Sequence, residues 1–137
     1  DVAGAVDIAV FGNGDVRCVD SCDRMLATGC DGVMIARGCL GNPWIFDELR
    51  AHLDGRSPQA DRTSEGVRAM MHRHLALYVK HLGARRTCLE FRKHALWYLK
   101  GSAGEQVLRA RLRGLDTVEA VKAAIDAGCD ALREAAA

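Results

Sequence analysis

Gly32-Val33-Met34-Ile35-Ala36-Arg37-Gly38 is the stretch on which the fold turns. Its apolar run carries β-branched Val33 and Ile35 and halts at a basic residue followed by glycine, so it reads as a buried strand that ends in a loop. Working upstream, Asp7-Ile8-Ala9-Val10-Phe11 is a second β-rich apolar run, stopped by the turn cluster Gly12-Asn13-Gly14-Asp15. Between the two, Asp20 or Ser21 can cap a short helix through Leu26, closed by Gly29. Strand, helix, strand in roughly 30 residues is a βαβ unit, which predicts parallel strands and a right-handed crossover. Downstream, Gly41-Asn42-Pro43-Trp44 offers Asn42 as an N-cap and Pro43 at the first helical position, predicting a helix to about His52.

Asp54-Gly55-Arg56-Ser57-Pro58 is the most loop-like segment, and the domain boundary is placed there, with residues 1–55 as the α/β part and 56–137 as an all-α part. Val67, Met71, Leu75, Tyr78 and Leu82 keep three-to-four spacing up to Gly83. A second helix spans about Arg85 to Lys100, with Cys88, Phe91, Ala95 and Tyr98 on one stripe and Gly101 as terminator. A third covers about Glu105 to Arg113, and Asp116-Thr117-Val118-Glu119 opens a fourth in the manner of a capping box. Four helices with short connections predict an antiparallel bundle, with a frayed tail from Ala135.

The chain has 137 residues, 49% apolar and 27% charged, as in a globular protein. A complete eight-stranded α/β (TIM) barrel is excluded, since that fold takes about 250 residues. No apolar run approaches the roughly 18 residues of a membrane helix, and the opening Asp1-Val2-Ala3-Gly4 lacks signal-peptide character, so a cytoplasmic location is expected. The six cysteines include no Cys-x-x-Cys pair; most read as small buried residues, and Cys18 with Cys22 has no second ligand pair to make a metal site. The net charge of +1 hides an asymmetry: residues 1–55 carry −5, residues 56–113 carry +9 and residues 114–137 carry −3. A basic block inside a neutral chain suggests a polyanion meeting one face.

Two groups of residues carry chemistry. The strand ends Gly12-Asn13-Gly14-Asp15 and Arg37-Gly38 lie one βαβ unit apart, where parallel α/β folds bind ligands and where glycine lets backbone N–H groups approach a phosphate. Arg37 adds a guanidinium suited to bidentate contact. Further on, Arg86, Lys93 and Lys100 recur every seven residues and drift only about 20° per step around a helix, forming one cationic stripe. Arg92 borders it, His94 lies within it, Trp97 follows Lys93 by four, and Arg109 with Arg113 repeats the spacing on the next helix. Cations with an aromatic suit RNA better than a small acid. His72 and His74, two apart, are unsuited to sharing a metal, and no general acid or base, catalytic triad or paired carboxylate stands out.

The series Gly12-Asn13-Gly14-Asp15, Thr28-Gly29-Cys30-Asp31-Gly32-Val33-Met34-Ile35-Ala36-Arg37-Gly38 and Gly41-Asn42-Pro43-Trp44-Ile45-Phe46 resembles the closing strands of the flavin-dependent tRNA-dihydrouridine synthases. Arg92-Lys93-His94 with Trp97-Tyr98-Leu99-Lys100 is similar to their C-terminal helical domain, and the bacterial nitrogen-regulation-like subgroup is the nearest in pattern. The resemblance implies an α/β piece holding the last two βα units of a TIM barrel, followed by a helical tRNA-binding bundle, as the C-terminal part of a longer enzyme that lacks here its first six strands. It implies reduced FMN delivering hydride to C6 of a tRNA uridine, a cysteine protonating C5, and NADPH re-reducing the flavin. That cysteine would lie upstream, so none of the six present takes the role. Asn13, Gly14 and Asp15 would lie on the FMN phosphate side, with Ala36, Arg37 and Gly38 completing the cradle; the family usually has glycine where Ala36 stands, which bears on close backbone approach there. Arg92, Lys93, His94 and Lys100 would face tRNA, and periodicity adds Arg86 and Arg109.

Two other readings compete: an autonomous nucleic-acid-binding module supported by the βαβ segment, and a piece of another phosphate-binding barrel enzyme. Two barrel strands with open edges also predict dimerisation or strand exchange.

Overall fold

A computed structural model describes residues 3–136. Short 3-10 turns at Ala3–Ala5 and Arg37–Cys39 accompany β1 (Phe11–Asn13), α1 (Val19–Leu26), β2 (Gly32–Met34), α2 (Ile45–Leu53), α3 (Ser64–Leu82), α4 (Ala84–Tyr98), α5 (Ala103–Arg111) and α6 (Val118–Glu134). The chain divides into two compact units, Asp1–Ala60 and Asp61–Ala137. No helix among the described residues is long and apolar enough to cross a membrane.

In the first unit β1 and β2 pair in parallel, Phe11 opposite Gly32, Gly12 opposite Val33 and Asn13 opposite Met34, with α1 between them in sequence. The first strand is not residues 7–11 as the sequence predicts. Pairing starts only where β2 is available; just ahead of it Val10 and Asp31 exchange two bonds, Val10 N–H to Asp31 Oδ2 at 2.8 Å and Asp31 N–H to the Val10 carbonyl at 2.9 Å. The second strand stops at Met34, not Ala36, because the chain turns into the Arg37–Cys39 3-10 turn.

The helix caps also differ from expectation. Cys18, not Asp20 or Ser21, is the N-cap of α1; Ser21 stands in the first turn and its hydroxyl accepts from the N–H groups of Arg17 (2.8 Å) and Cys18 (3.0 Å). Asn42 precedes α2 by a full turn, its carbonyl accepting from Ile45 N–H across Pro43 and Trp44.

Val16, Cys22, Ile45 and Leu49 form this unit's core, with Val19, Met25, Val33 and Ile35 packed around them. Each fully buried aliphatic side chain contributes about 1.5–3 kcal/mol. Residues 56–60 stay with this unit because Asp47 receives Gln59 N–H (2.7 Å) and the Arg56 guanidinium (3.1 Å), which hold its carboxyl below the usual range. Ile8, Phe11 and Met34 stand largely exposed. They are the open faces from which self-association is expected, and nothing in the geometry of the described residues singles out a second copy as their cover.

The second unit is helical throughout. Thr63 caps α3 by accepting from Gly66 N–H, and Thr117 caps α6 by accepting from Ala120 N–H. The residue three after Thr117 is alanine, so the reciprocal half of the expected capping box is missing. Gly83 alone links α3 to α4, at φ 76°, a conformation that favours glycine. Val67, Met71 and Leu75 of α3, Phe91 and Ala95 of α4, Leu108 of α5 and Ile125 of α6 are buried together. The helices run antiparallel in pairs: His74 meets Tyr98 and Tyr78 meets His94 between α3 and α4, while Arg68 meets Asp130 and His72 meets Asp126 between α3 and α6. Ala137 of the expected frayed tail lies outside the described residues; α6 is regular to Glu134.

Candidate functional site

The ends of β1 and β2 converge on one small cleft lined by Asn13, Gly14, Asp15, Val16, Met34, Ala36, Arg37 and Gly38. All six residues that the sequence points to at these strand ends line it, with Val16 and Met34 in addition. Its volume is about 50 Å³, against the roughly 10–15 Å³ one water requires, so it admits a group the size of a phosphate and not a ring system.

Local backbone conformation explains why these residue types build it. Gly14 has φ 143° and Asp15 φ 47°, turning the chain sharply at the end of β1; glycine takes the first freely and aspartate tolerates the second. Gly38 has no room for a side chain, because a Cβ there would overlap the Val16 carbonyl oxygen. Ala36, where the family resemblance expects glycine, sits at φ −107° and ψ −91°, outside the regular helical and extended regions. The Asn13 amide lies 3.7 Å from the Met34 sulfur across the ladder.

The charges converge on one oxygen. Asp15 Oδ1 lies 3.3 Å from Arg37 Nη2 and 3.2 Å from Arg17 Nη2, all three side chains being solvent-exposed. Arg17 carries no motif signal in the sequence beyond its place after apolar Val16. Next to it, Cys18 is exposed and the Ser21 hydroxyl lowers its thiol pKa, whereas burial raises those of Cys22 and Cys88 and pushes Cys129 up to about 11. All six cysteines are free; Cys18 is exposed at the cap of α1 and Cys22 is buried. Among the described residues no cluster of His, Cys, Asp and Glu could hold a metal.

The cationic stripe of α4 is sorted by its partners. Lys93 is exposed on α4, and Lys100 is exposed in the turn beyond it, because the helix ends at Tyr98 rather than running to Lys100. Arg86 is exposed and bonds Glu90 at 2.6 Å one turn on, and Arg109 on α5 bonds Glu105 at 2.6 Å likewise. Arg92 turns inward instead, donating from Nε to the Cys88 carbonyl (2.9 Å) and from Nη2 to the Leu115 carbonyl (2.7 Å). The first bond stays within α4, and the second ties α4 to the segment before α6.

His94 is not part of the exposed stripe that the spacing assigns it to. It lies one residue, about 100°, round the helix from Lys93, which brings it against α3, where Nε2 meets Tyr78 Oη at 2.6 Å. His74 Nδ1 meets Tyr98 Oη at 3.1 Å, and the two imidazole centroids are 5.3 Å apart, with Phe91 edge-on to His74. Burial lowers the pKa of both histidines, and for His94 the neighbouring His74 and Lys93 lower it further against a smaller pull from Glu90. Trp97 is partly buried and packs edge-on against His94, 4.9 Å between centroids, rather than standing free.

A parallel strand pair with the helix α1 between its strands, in a chain that continues into four further helices, makes this an α/β unit followed by a helical unit. The family profile described as Dihydrouridine synthase (Dus) matches residues 1–136, and the chain belongs to the dihydrouridine synthase family. It is 42% identical over 113 residues to a probable tRNA-dihydrouridine synthase of Mycobacterium leprae (strain TN), covering 82% of this chain and 29% of that protein. It is 38% identical over 120 residues to a probable tRNA-dihydrouridine synthase of Mycobacterium tuberculosis (strain ATCC 25618 / H37Rv), covering 87% and 31%. To tRNA-dihydrouridine synthase B of Pseudomonas syringae pv. tomato it is 37% identical over 121 residues, covering 85% and 35%. The chain thus spans about a third of the length of these relatives.

Proposed function

We propose that this chain is the C-terminal part of a flavin-dependent tRNA-dihydrouridine synthase of the cytoplasm, contributing the last two βα units of a TIM barrel and a helical tRNA-binding domain. The observation that carries the reading is the convergence of Asn13, Gly14 and Asp15 with Ala36, Arg37 and Gly38 on one phosphate-sized cleft. The donor set fits the phosphate end of FMN: a guanidinium, a side-chain amide and a glycine-rich backbone at parallel strand ends. The cleft is too small for the isoalloxazine, whose place would be made by parts of the barrel beyond this chain. Bound FMN supplies the hydride that reduces uridine, with NADPH as the source of electrons. This chain's own residues bind and orient; the catalytic cysteine is assigned upstream, and the chain by itself is proposed to be inactive.

Lys93 and Lys100, with the guanidiniums of Arg86 and Arg109 free to trade their neighbouring carboxylates for phosphates, form the face proposed for tRNA. Arg92 and His94 support that face from behind, the first through two carbonyls and the second through Tyr78.

The test is binding of the chain to unmodified tRNA and to an RNA duplex of equal charge over a range of salt, with FMN and riboflavin titrated in parallel. Tighter binding to tRNA with a steep salt slope, and FMN bound in preference to riboflavin, are expected. Equal affinity for the two RNAs reduces the helical unit to a general nucleic-acid module. Equal affinity for FMN and riboflavin removes the phosphate role from the cleft.

A further inference from the structure

Arg17 belongs to no motif of the family resemblance, yet it shares the Asp15 carboxylate with Arg37. Three contacts fix this arrangement. The Val16 carbonyl lies against Gly38, locking the loop after β1 to the loop after β2 and setting the residues flanking Val16 beside Arg37. Val16 is itself buried, which anchors the loop from below. The Ser21 hydroxyl accepts the Arg17 and Cys18 N–H groups and donates to the Cys18 carbonyl at 2.8 Å, so the backbone that carries Arg17 is held from the first turn of α1.

A single carboxylate oxygen between two guanidiniums from two loops occupies the position of an anion oxygen. Solvent-exposed ion pairs of this kind are weak, so a stronger anion can displace the carboxylate. A phosphate monoester carries two charges and three terminal oxygens and can bridge both guanidiniums, whereas a phosphodiester has one charge and two such oxygens.

We propose that Arg17 and Arg37 form a two-guanidinium clamp for a phosphate monoester, closed on Asp15 until the monoester displaces that carboxylate. The inference rests on the cleft's assignment to the FMN phosphate, adds a cation not assigned to it above, and gives Asp15 the role of internal occupant.

The probe is inorganic phosphate, titrated into this chain and followed by calorimetry and phosphorus NMR, with dimethyl phosphate as the diester. Arg17→Ala and Arg37→Ala are each expected to weaken phosphate binding about three- to tenfold, with Arg17→Lys recovering part of the loss and circular dichroism unchanged. Asp15→Asn is expected to tighten binding by a similar factor. Phosphate affinity unaffected by Arg17→Ala, weakened by Asp15→Asn, matched by dimethyl phosphate, or absent from the unaltered chain overturns the clamp. Because the probe contains no flavin, the clamp can stand if FMN fails to bind, and FMN binding can stand if Arg17 proves idle.

Discussion

Gly104 and Gly128 face each other across α5 and α6, so closely that a Cβ on residue 104 would overlap the Gly128 carbonyl oxygen. The reverse is milder: a Cβ on residue 128 would meet first the tip of Leu99, Cδ1 at 2.8 Å, then the Gly104 carbonyl at 3.2 Å. Backbone cannot yield as a side-chain methyl can. Gly104→Ala is therefore expected to cost about 1–3 kcal/mol as the helices are forced apart. Gly128→Ala should cost less, part of the strain being offset by alanine's helix preference of up to about 1 kcal/mol. Urea unfolding of both variants checks the order.

Gly38→Ala makes the same collision with a backbone carbonyl, that of Val16, but at the cleft. The joint between the two strand-end loops must open, with a stability cost of about 1–3 kcal/mol. Phosphate affinity should fall with it, because Arg37 moves away from Asp15 and Arg17. Phosphate titration alongside thermal unfolding checks both halves, and a variant of normal affinity would show that the joint does not set the cleft.

Acid should loosen the α3–α4 pair. His74 and His94 are held neutral by burial, so their pKa values in the folded chain lie below the ordinary 6.5. On acidification the unfolded chain takes up these protons first, so stability is full above pH 6.5 and falls as the pH drops from there toward the lowered folded values. Carboxylates that are paired in the fold, such as Glu90 and Asp130, lose their contribution only further down. The expected result is a lower urea midpoint at pH 5.5 than at pH 7.5, with the difference reduced in His74→Gln and His94→Gln. An unchanged slope in both variants would count against the histidines.

Arg92 and Lys93 are neighbours with opposite expected phenotypes. Arg92→Met removes two bonds to carbonyls and leaves the Leu115 carbonyl without its guanidinium donor, costing about 1–3 kcal/mol with little direct effect on RNA affinity. Lys93→Ala should leave the unfolding midpoint within about 0.5 kcal/mol and weaken tRNA binding, with a shallower salt slope. Parallel unfolding and binding curves separate the two.

How far the sequence could be read follows from what each pattern measures. Turn chemistry points to residues that the structure brings to one cleft, because glycines at 14 and 38 answer to local backbone demands. The apolar run places β1 four residues early, because apolar character alone does not fix a strand's start and pairing depends on where β2 begins. Seven-residue spacing points to Arg86 and Lys93 on one helix surface and to Lys100, which lies in the turn just after α4 ends at Tyr98. It could not reveal that Arg92 and His94 are turned to neighbouring elements, since those partners, Leu115 and Tyr78, are set by helix packing. Arg17 carried no motif signal, and only the Val16–Gly38 contact shows what it can reach.

The one-residue link at Gly83 has a kinetic consequence. Because α3 and α4 meet around a single glycine, the contacts that close them, Tyr78 with His94 and His74 with Tyr98, join residues only 16 and 24 positions apart. Short loops close at little entropic cost and local contacts form early, so this helical hairpin is poised to assemble within its own stretch of chain, before α6 arrives to complete the unit.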